Sequence, residues 1–375
     1  MKTLSFSVTD QTQLQQLLQE ESSKGNAYKL AIVFASTECE LEPVQAIFRE
    51  FEMNVCGCST AGEISGGTLE TNCITGLLVD APKDSFKLWT GLAGSVSSQA
   101  ETLGNEADTT FSNPQIFVLS GGLTNDGEEI IDGIKRGAGR DLPTFGGLGA
   151  DDFKMERTYS FSESDTIDNG LVAVIFDGDL IKLEGNAISG WEPIGLENEI
   201  TSAEGNVVHE INGKSALEFY SQFIGAANNT EFTEDIATVT MLQYPLQIIR
   251  PEGVILRAPS MPHPNGTSII LVGGVRTGDR FRFSIIPGFE VIEETVGHFR
   301  ANHNEDRQPD GVLMISCKAR HAAFGPMLED EIEQIAELYK APMAGYLSYG
   351  EIGAIDERGT ALHNDTCCIV RLYEV

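Results

Sequence analysis

The chain has 375 residues and 41% apolar content, enough to bury a sizeable core and fill two or three domain-sized units. Its 56 acidic residues against 25 basic ones leave a formal charge of −31, which repels phosphate backbones and anionic bilayers, and no Lys/Arg cluster offers a local exception. Seven irregularly spaced cysteines fit a reducing compartment, no window reaches ~18 consecutive apolar residues, and MKTLSFSVTDQTQ lacks the core of an export signal. A cytoplasmic protein is expected, with no nucleic-acid partner and no membrane insertion.

In chain order, LSFSV (4–8) alternates like a strand, and DQTQLQQLLQEE follows as a helix behind a Thr9/Asp10 cap, with Leu14, Leu17 and Leu18 on one face. YKLAIVFAS (28–36) reads as a buried strand. LEPVQAIFREFEM spaces Leu41, Val44, Ile47, Phe48 and Phe51 as a helix, with Pro43 in its first turn. A further strand runs into GCSTAGEI (57–64), and a polar hairpin leads to Asn72 before the strand CITGLLV.

A more degraded copy of the same order follows. It comprises FKLWTGLAG (86–94), a polar stretch, QIFVLSGG (115–122), a weak helix around Ile130, Ile131 and Ile134, and LPTFGGLGADD. GGLGADD stands at the Gly-Glu-Ile place, and Asn169 precedes GLVAVIF. Residues 185–277 do not fit the unit, apart from an opening strand and the helix SALEFYSQFIG, and read as a separate block or insertion. A third copy starts from about residue 278 with FRFSII (281–286). It continues with a helical stretch from about 290 to 302, the strand GVLMISC (311–317), and a helix carrying Leu328, Ile332, Ile335 and Leu338. It closes with MAGYLSYGEI (343–352), and Asn364 precedes DTCCIVRL as the third matching asparagine.

The expected fold is mixed α/β (α+β): repeated strand-helix-strand-helix-strand units form packed sheets with helices outside. Strand ends rich in small residues can converge on a crevice, because glycine lets backbone approach a ligand. The alternative is that Gly-Glu-Ile is a structural turn repeated by duplication.

Several chemistries fall away. GGLGADDF lacks the third glycine of a dinucleotide loop and puts acidic residues where a pyrophosphate needs positive potential. There is no P-loop, kinase signature, HExxH, paired CxxC or GxSxG. The cysteines of CGC (56–58) and the pair Cys367, Cys368 are expected to pack from opposite strand faces rather than bind metal. His298 and His303, five apart, do not share a helix face as zinc ligands would. SCKARH sets Ser316, Cys317, Arg320 and His321 directly after a strand. Arg320 there can fork onto a carboxylate ligand or pair with a local carboxylate. An enzyme reading would take Cys58 or Cys317 as nucleophile and His321 or His363 as base.

The motifs GCSTAGEI (57–64), GGLGADD (146–152), SGWEPIG (189–195) and ITSAEGNVVHEINGKSALEFY (200–220) resemble the FIST N domain of FIST sensory proteins. SCKAR (316–320), AGYLSYGEIG (344–353) and HNDT (363–366) resemble the FIST C domain. The set spans nearly the whole chain in the family order. It implies a FIST N-like region at 25–215, holding two copies of the unit together with residues 1–24, and a FIST C-like region at 216–375, in one compact assembly. It also implies a non-enzymatic sensor that binds a small amino-acid-like or other anionic metabolite. With no output domain of its own, such a chain would signal by contacting a separate protein such as a histidine kinase, a chemotaxis receptor or a cyclic-di-GMP enzyme.

The expected pocket comprises Ser59, Thr60, Glu63, Trp191, Cys317, Arg320, Tyr349, Glu351 and Asn364, with Arg320 holding the anionic group and Trp191 more a packing anchor than a ligand platform. Some stand-alone members of the family bind haem and report nitric oxide to a kinase. On that alternative His321 and His363 are the axial candidates for haem b, with the propionates near Arg320.

Overall fold

The computed structural model describes residues 1–225, 241, 243–250, 253–288, 290–304, 306–354 and 359–375. The first copy runs β1 (Lys2–Val8), α1 (Gln11–Ser23), β2 (Leu30–Ser36), α2 (Leu41–Glu50) and β3 (Asn54–Thr60). A hairpin of β4 (Glu63–Ser65) and β5 (Thr68–Glu70) follows, then β6 (Ile74–Asp80). Asp10 starts α1 by accepting from the N–H groups of Thr12 and Gln13, two donors that a helix start leaves unpaired. The second copy runs β7 (Phe86–Gly91), α3 (Val96–Thr110), β8 (Pro114–Gly121), α4 (Gly127–Ala138) and β9 (Thr144–Gly149). Its hairpin is β10 (Ser160–Phe161) and β11 (Thr166–Ile167), and β12 (Leu171–Asp177) ends it.

The third copy opens with β13 (Ile181–Ile188) and is then interrupted by an inserted block. The block holds β14 (Glu192–Glu204), β15 (Val207–Ile211), β16 (Lys214–Ser215), α5 (Ala216–Phe223) and β17 (Leu246–Arg250). It continues with β18 (Gly253–Arg257), β19 (Pro259–Pro262), β20 (Ile269–Leu271) and β21 (Arg280–Ile285). The copy resumes with α6 (Glu290–Ala301), β22 (Gly311–Cys317), α7 (Lys318–Phe324), α8 (Met327–Tyr339) and β23 (Met343–Ser348). Its hairpin is β24 (Gly350–Ala354) and β25 (Thr360–His363), and its last strand is β26 (Cys367–Glu374).

Three sheets share one plan. Each places its own first, last, second and third long strands side by side and ends on a hairpin from another copy: β1-β6-β2-β3-β10-β11, β7-β12-β8-β9-β24-β25 and β13-β26-β22-β23-β4-β5. Hairpins therefore pass round a closed ring, second copy to first, third to second and first to third. The second and third strands of each copy pair in parallel, which needs a crossover, and a helix supplies it. At each joint a third-strand glycine faces an apolar hairpin residue: Gly57 opposite Phe161, Gly146 opposite Ile352, and Gly345 opposite Ile64. A Cβ on Gly57 would run into the Phe161 ring, so the close crossing requires glycine there.

The two-residue period of the strands sorts side chains between two cores. Leu30, Ile32 and Phe34 of β2 meet Phe117 and Leu119 of β8 and Leu313 and Ile315 of β22 in one interior shared by all three sheets. Ala31, Val33 and Ala35 face the other way, onto Leu14, Leu18, Val44 and Phe48 of α1 and α2. Strands covered on both faces read as unbroken apolar runs, and each large side chain so buried contributes ~1.5–3 kcal/mol. The expected arrangement of packed sheets with helices outside is what forms. Among the described residues no helix is long and apolar enough to cross a membrane.

Four details depart from the sequence reading. FRFSII belongs to β21, which pairs with β14 and β17 in the inserted sheet; the strand that opens the third copy is β13, paired with β26. Alternation marks a strand but not the sheet it joins. By register Ser160 faces Cys58, Glu63 faces Tyr346 and Glu351 faces Gly147. The second-copy counterpart of the glutamates is therefore Ser160, and GGLGADD ends β9 and begins a longer connector. Asn72, Asn169 and Asp365, not Asn364, stand two residues before β6, β12 and β26; Asn72 and Asp365 both adopt left-handed backbone, which Asn and Asp tolerate. Cys56 and Cys58, two apart, share the central core, whereas the adjacent Cys367 and Cys368 divide between two cores.

Candidate functional site

The two Gly-Glu-Ile turns close in the same way. Glu63 accepts from Thr60 Oγ1, from the Cys73 N–H at 3.3 Å and from Cys73 Sγ at 3.5 Å. Glu351 accepts from Ser348 Oγ, from Thr366 Oγ1 at 2.8 Å and from the Thr366 N–H at 3.4 Å. Each carboxylate ties the turn to the residue just before its copy's last strand, and both are buried. Burial raises the pKa of both, Glu351 to about 8. Ser59 is also enclosed, its Oγ accepting from the Tyr159 N–H at 3.1 Å.

A second cluster joins the inserted block to the third copy. Arg320 is 0% exposed and pairs with Glu331, also 0% exposed. Its Nε donates to Glu331 Oε2 at 3.1 Å, Nη1 to the carbonyls of Ser189 and Asp365, and Nη2 to Thr295 Oγ1 at 3.0 Å and to Glu331 Oε1. These contacts occupy all five guanidinium N–H groups, leaving none to fork onto a ligand carboxylate. The local-carboxylate reading of Arg320 is the one the geometry realises. Trp191 stacks on Phe324 with centroids 5.2 Å apart and lies 5.6 Å from the Arg320 guanidinium, as a packing anchor does. Asn364 accepts from the Ala258 N–H at 3.3 Å and donates to the His363 carbonyl at 3.1 Å, stitching the block to the last hairpin. Asp365 lies here too, with no hydrogen-bond partner for either carboxylate oxygen among the described residues.

The cysteine and histidine candidates are equally enclosed. Burial pushes the Cys58 and Cys317 thiols well up, the opposite of what an activated nucleophile needs. His363 is buried, its Nε2 lies 3.3 Å from the Gly353 carbonyl, and burial lowers its pKa to about 4. His321 Nδ1 lies 3.1 Å from Lys318 Nζ; partial burial and that ammonium lower its pKa. Neither histidine lines either of the two cavities described next, and this donor set does not fit a haem macrocycle.

Among the described residues, two depressions that open to solvent stand out. The larger, about 570 Å³, lies between the inserted block and α6, and its charged lining is of one sign: Glu192, Glu290 and Glu294. The other, about 350 Å³, lies at strand ends where the first and second copies meet. Glu38 and Cys39, just after β2, form one wall. Asp151, Lys154, Glu156 and Arg157 of connector 150–159 form the other, and Tyr159 also lines it. Lys154 pairs with Glu38 across the crevice, and Arg157 forks onto Asp168 at 2.8–3.1 Å with its guanidinium 5.2 Å from the Tyr159 ring. These are exposed pairs and therefore weak, so a ligand carboxylate or ammonium can replace either partner at small cost.

Of the residues named from sequence, Tyr349 bonds to this wall through Asp151, and Ser59 bonds to it from beneath through the Tyr159 N–H. Trp191, Cys317, Arg320 and Asn364 gather in the buried cluster; Ser59, Thr60, Glu63 and Glu351 sit in the closed joints. Glu38, Lys154, Glu156 and Arg157 were missed. The signal that marks the three connector residues is length: Ala61 and Gly62 lead into the first hairpin and Tyr349 into the third, but residues 150–159 into the second.

Residues 29–214 match the FIST N domain and residues 216–354 the FIST C domain. An uncharacterized protein, MJ1623, of Methanocaldococcus jannaschii is 25% identical over 228 residues, 55% of this chain. The chain spans 43% of the length of that archaeal protein. The boundary between the two matched regions falls inside the inserted block, while strands cross it in both directions: β4 pairs with β23, and β24 with β9.

Proposed function

From the premise that this chain belongs to the FIST family, whose domains are sensory modules of signal transduction, we propose that it is a cytoplasmic sensor whose ligand enters the crevice between the first and second copies. The ligand is a small amino-acid-like or other anionic metabolite, and the bound state is read by a separate signalling protein such as a histidine kinase. The observation that carries this reading is the crevice itself. About 350 Å³ suits a small metabolite, and its walls present Lys154 and Arg157 beside Glu38 and Glu156, a pattern that matches a carboxylate and an ammonium on one molecule.

A thermal-shift screen of the twenty amino acids and of small carboxylates tests it. Ligand at one hundred times its Kd adds ~2.7 kcal/mol to stability, a readable rise in Tm. The shift is expected to vanish in the double variant Lys154→Ala, Arg157→Ala while the unliganded Tm stays put. A screen in which no compound moves the wild-type Tm would sink the reading.

A further inference from the structure

The connector divides into two halves. Asp151, Asp152 and Phe153 are held by the third copy. Tyr349 Oη donates to Asp151 Oδ1 at 2.6 Å and accepts from the Phe153 N–H at 2.6 Å, and its ring stacks on Phe153 with centroids 6.0 Å apart. Lys318 Nζ pairs with Asp152 at 2.6 Å and also donates to the Ala61 carbonyl at 3.3 Å. The other half carries Lys154, Glu156 and Arg157 into the crevice.

The path between the halves is strained. Asp152, Phe153 and Met155 all adopt left-handed backbone, with φ of 56°, 60° and 55°. Residues with a Cβ avoid that region unless their surroundings enforce it. The enforcing group is Asp151, whose carboxylate accepts from the N–H groups of Met155, Glu156 and Arg157 at 3.2, 2.7 and 3.0 Å. One carboxylate, oriented by one tyrosine, sets the course of the segment that lines the crevice.

The repeat supplies an internal control. Ser348-Tyr349-Gly350-Glu351 matches Thr60-Ala61-Gly62-Glu63 position for position, with the same hydroxyl-to-glutamate bond closing each turn. At the place of Tyr349 the first copy has Ala61, and that joint closes all the same. The fold therefore does not ask for an aromatic phenol here. The tyrosine stands in the copy whose hairpin strand β24 pairs with β9, the strand from which the connector departs.

We infer that Tyr349 is a positioning residue for the crevice: its hydroxyl, reaching from the third copy, holds Asp151 so that Lys154, Glu156 and Arg157 face a ligand seated against the first copy. The ligand half of this statement rests on the crevice reading above. The site thereby draws on all three copies, so its occupancy bears on the third-copy joint through the contacts that Tyr349 and Lys318 make with residues 151–153.

The test uses full-length Tyr349→Phe, which keeps the stack and removes the hydroxyl, and Tyr349→Ala, which reproduces the first-copy residue. Amide exchange of residues 155–157, followed by mass spectrometry without ligand, is expected to quicken about tenfold in Tyr349→Phe and further in Tyr349→Ala, with Tm unchanged to within ~2 °C. Unchanged exchange at 155–157 would overturn the assignment. So would an acceleration that spreads to the core amides of β2 and β8, because Tyr349 would then be part of the general fold.

Calorimetry with L-glutamate as the probe supplies the binding arm. Where the wild type binds it, Tyr349→Phe is expected to weaken it about tenfold at unchanged Tm, a split that a purely structural role would not produce. Undiminished binding in Tyr349→Phe would overturn the positioning role. A wild type that fails to bind glutamate counts against the crevice reading for that ligand, and the exchange arm then decides Tyr349 alone.

Discussion

The joints of the first and third copies and the joint of the second copy solve one packing problem in two ways. In the first pair, a glutamate gathers a hydroxyl and a backbone N–H and closes the turn, its carboxylate buried. In the second, Ser160 stands in the glutamate's place, its hydroxyl 3.5 Å from the Gly170 carbonyl, and the extra chain of residues 150–159 folds outward into a charged crevice. Copies that keep the motif spend it on structure, and the copy that has lost it has chain to spare for a site.

The largest expected effect probes the closed side. Arg320→Ala strands Glu331 in a fully buried place and should cost ~3–5 kcal/mol in urea unfolding, whereas the paired change Arg320→Met with Glu331→Leu should recover most of it. A loss below ~1 kcal/mol for the single variant would mean that this region is open to water after all. Next comes a direct contrast of joints. Glu351→Ala leaves Ser348 and Thr366 without their acceptor and should cost ~1–3 kcal/mol, while Ser160→Ala removes one long contact and should cost less than ~1 kcal/mol. Equal losses would erase the distinction between the two kinds of joint.

A last contrast is one of pH. Burial raises the pKa of Glu351 to about 8 and of Asp365 to about 7, so the folded state keeps protons that the unfolded chain gives up near pH ~4. Their stabilising contribution is complete below ~4 and is lost as pH rises through 7 to 8. The urea midpoint should therefore fall between pH 5 and 9, and Asp365→Asn should flatten the lower part of that fall. A wild-type midpoint that is level across this range would show that neither group holds its proton.

Legibility differed between fold and site for a physical reason. The strand-helix order of the copies was readable, since the unbroken apolar run LAIVFAS and the three-to-four spacing in LEPVQAIFREFEM depend only on neighbouring residues. The block was read as standing between the second and third copies, whereas it interrupts the third, whose opening strand β13 precedes it; its last strand, β21, was taken for the start of that copy because an apolar strand carries no mark of its sheet. At the site, repeated motifs drew the eye to Glu63, Glu351 and Arg320, which internal bonds consume, and away from Lys154 and Arg157, which stand where the repeat fails. The reading of Trp191 as more an anchor than a ligand platform rested on the general burial of large aromatics, and Trp191 lies buried against Phe324.

By itself the sequence determined the element types, their threefold recurrence and the burial of the central strands, because periodicity and turn chemistry are local properties of the chain. Only the tertiary structure decided which hairpin joins which sheet, that Arg320 meets Glu331, and that Glu38 faces Lys154 across a crevice. All three sheet edges offer a glycine to a hairpin's apolar residue, so composition does not choose among them. The choice is made by the closed packing of three sheets around one core, which fixes contacts between residues far apart along the chain.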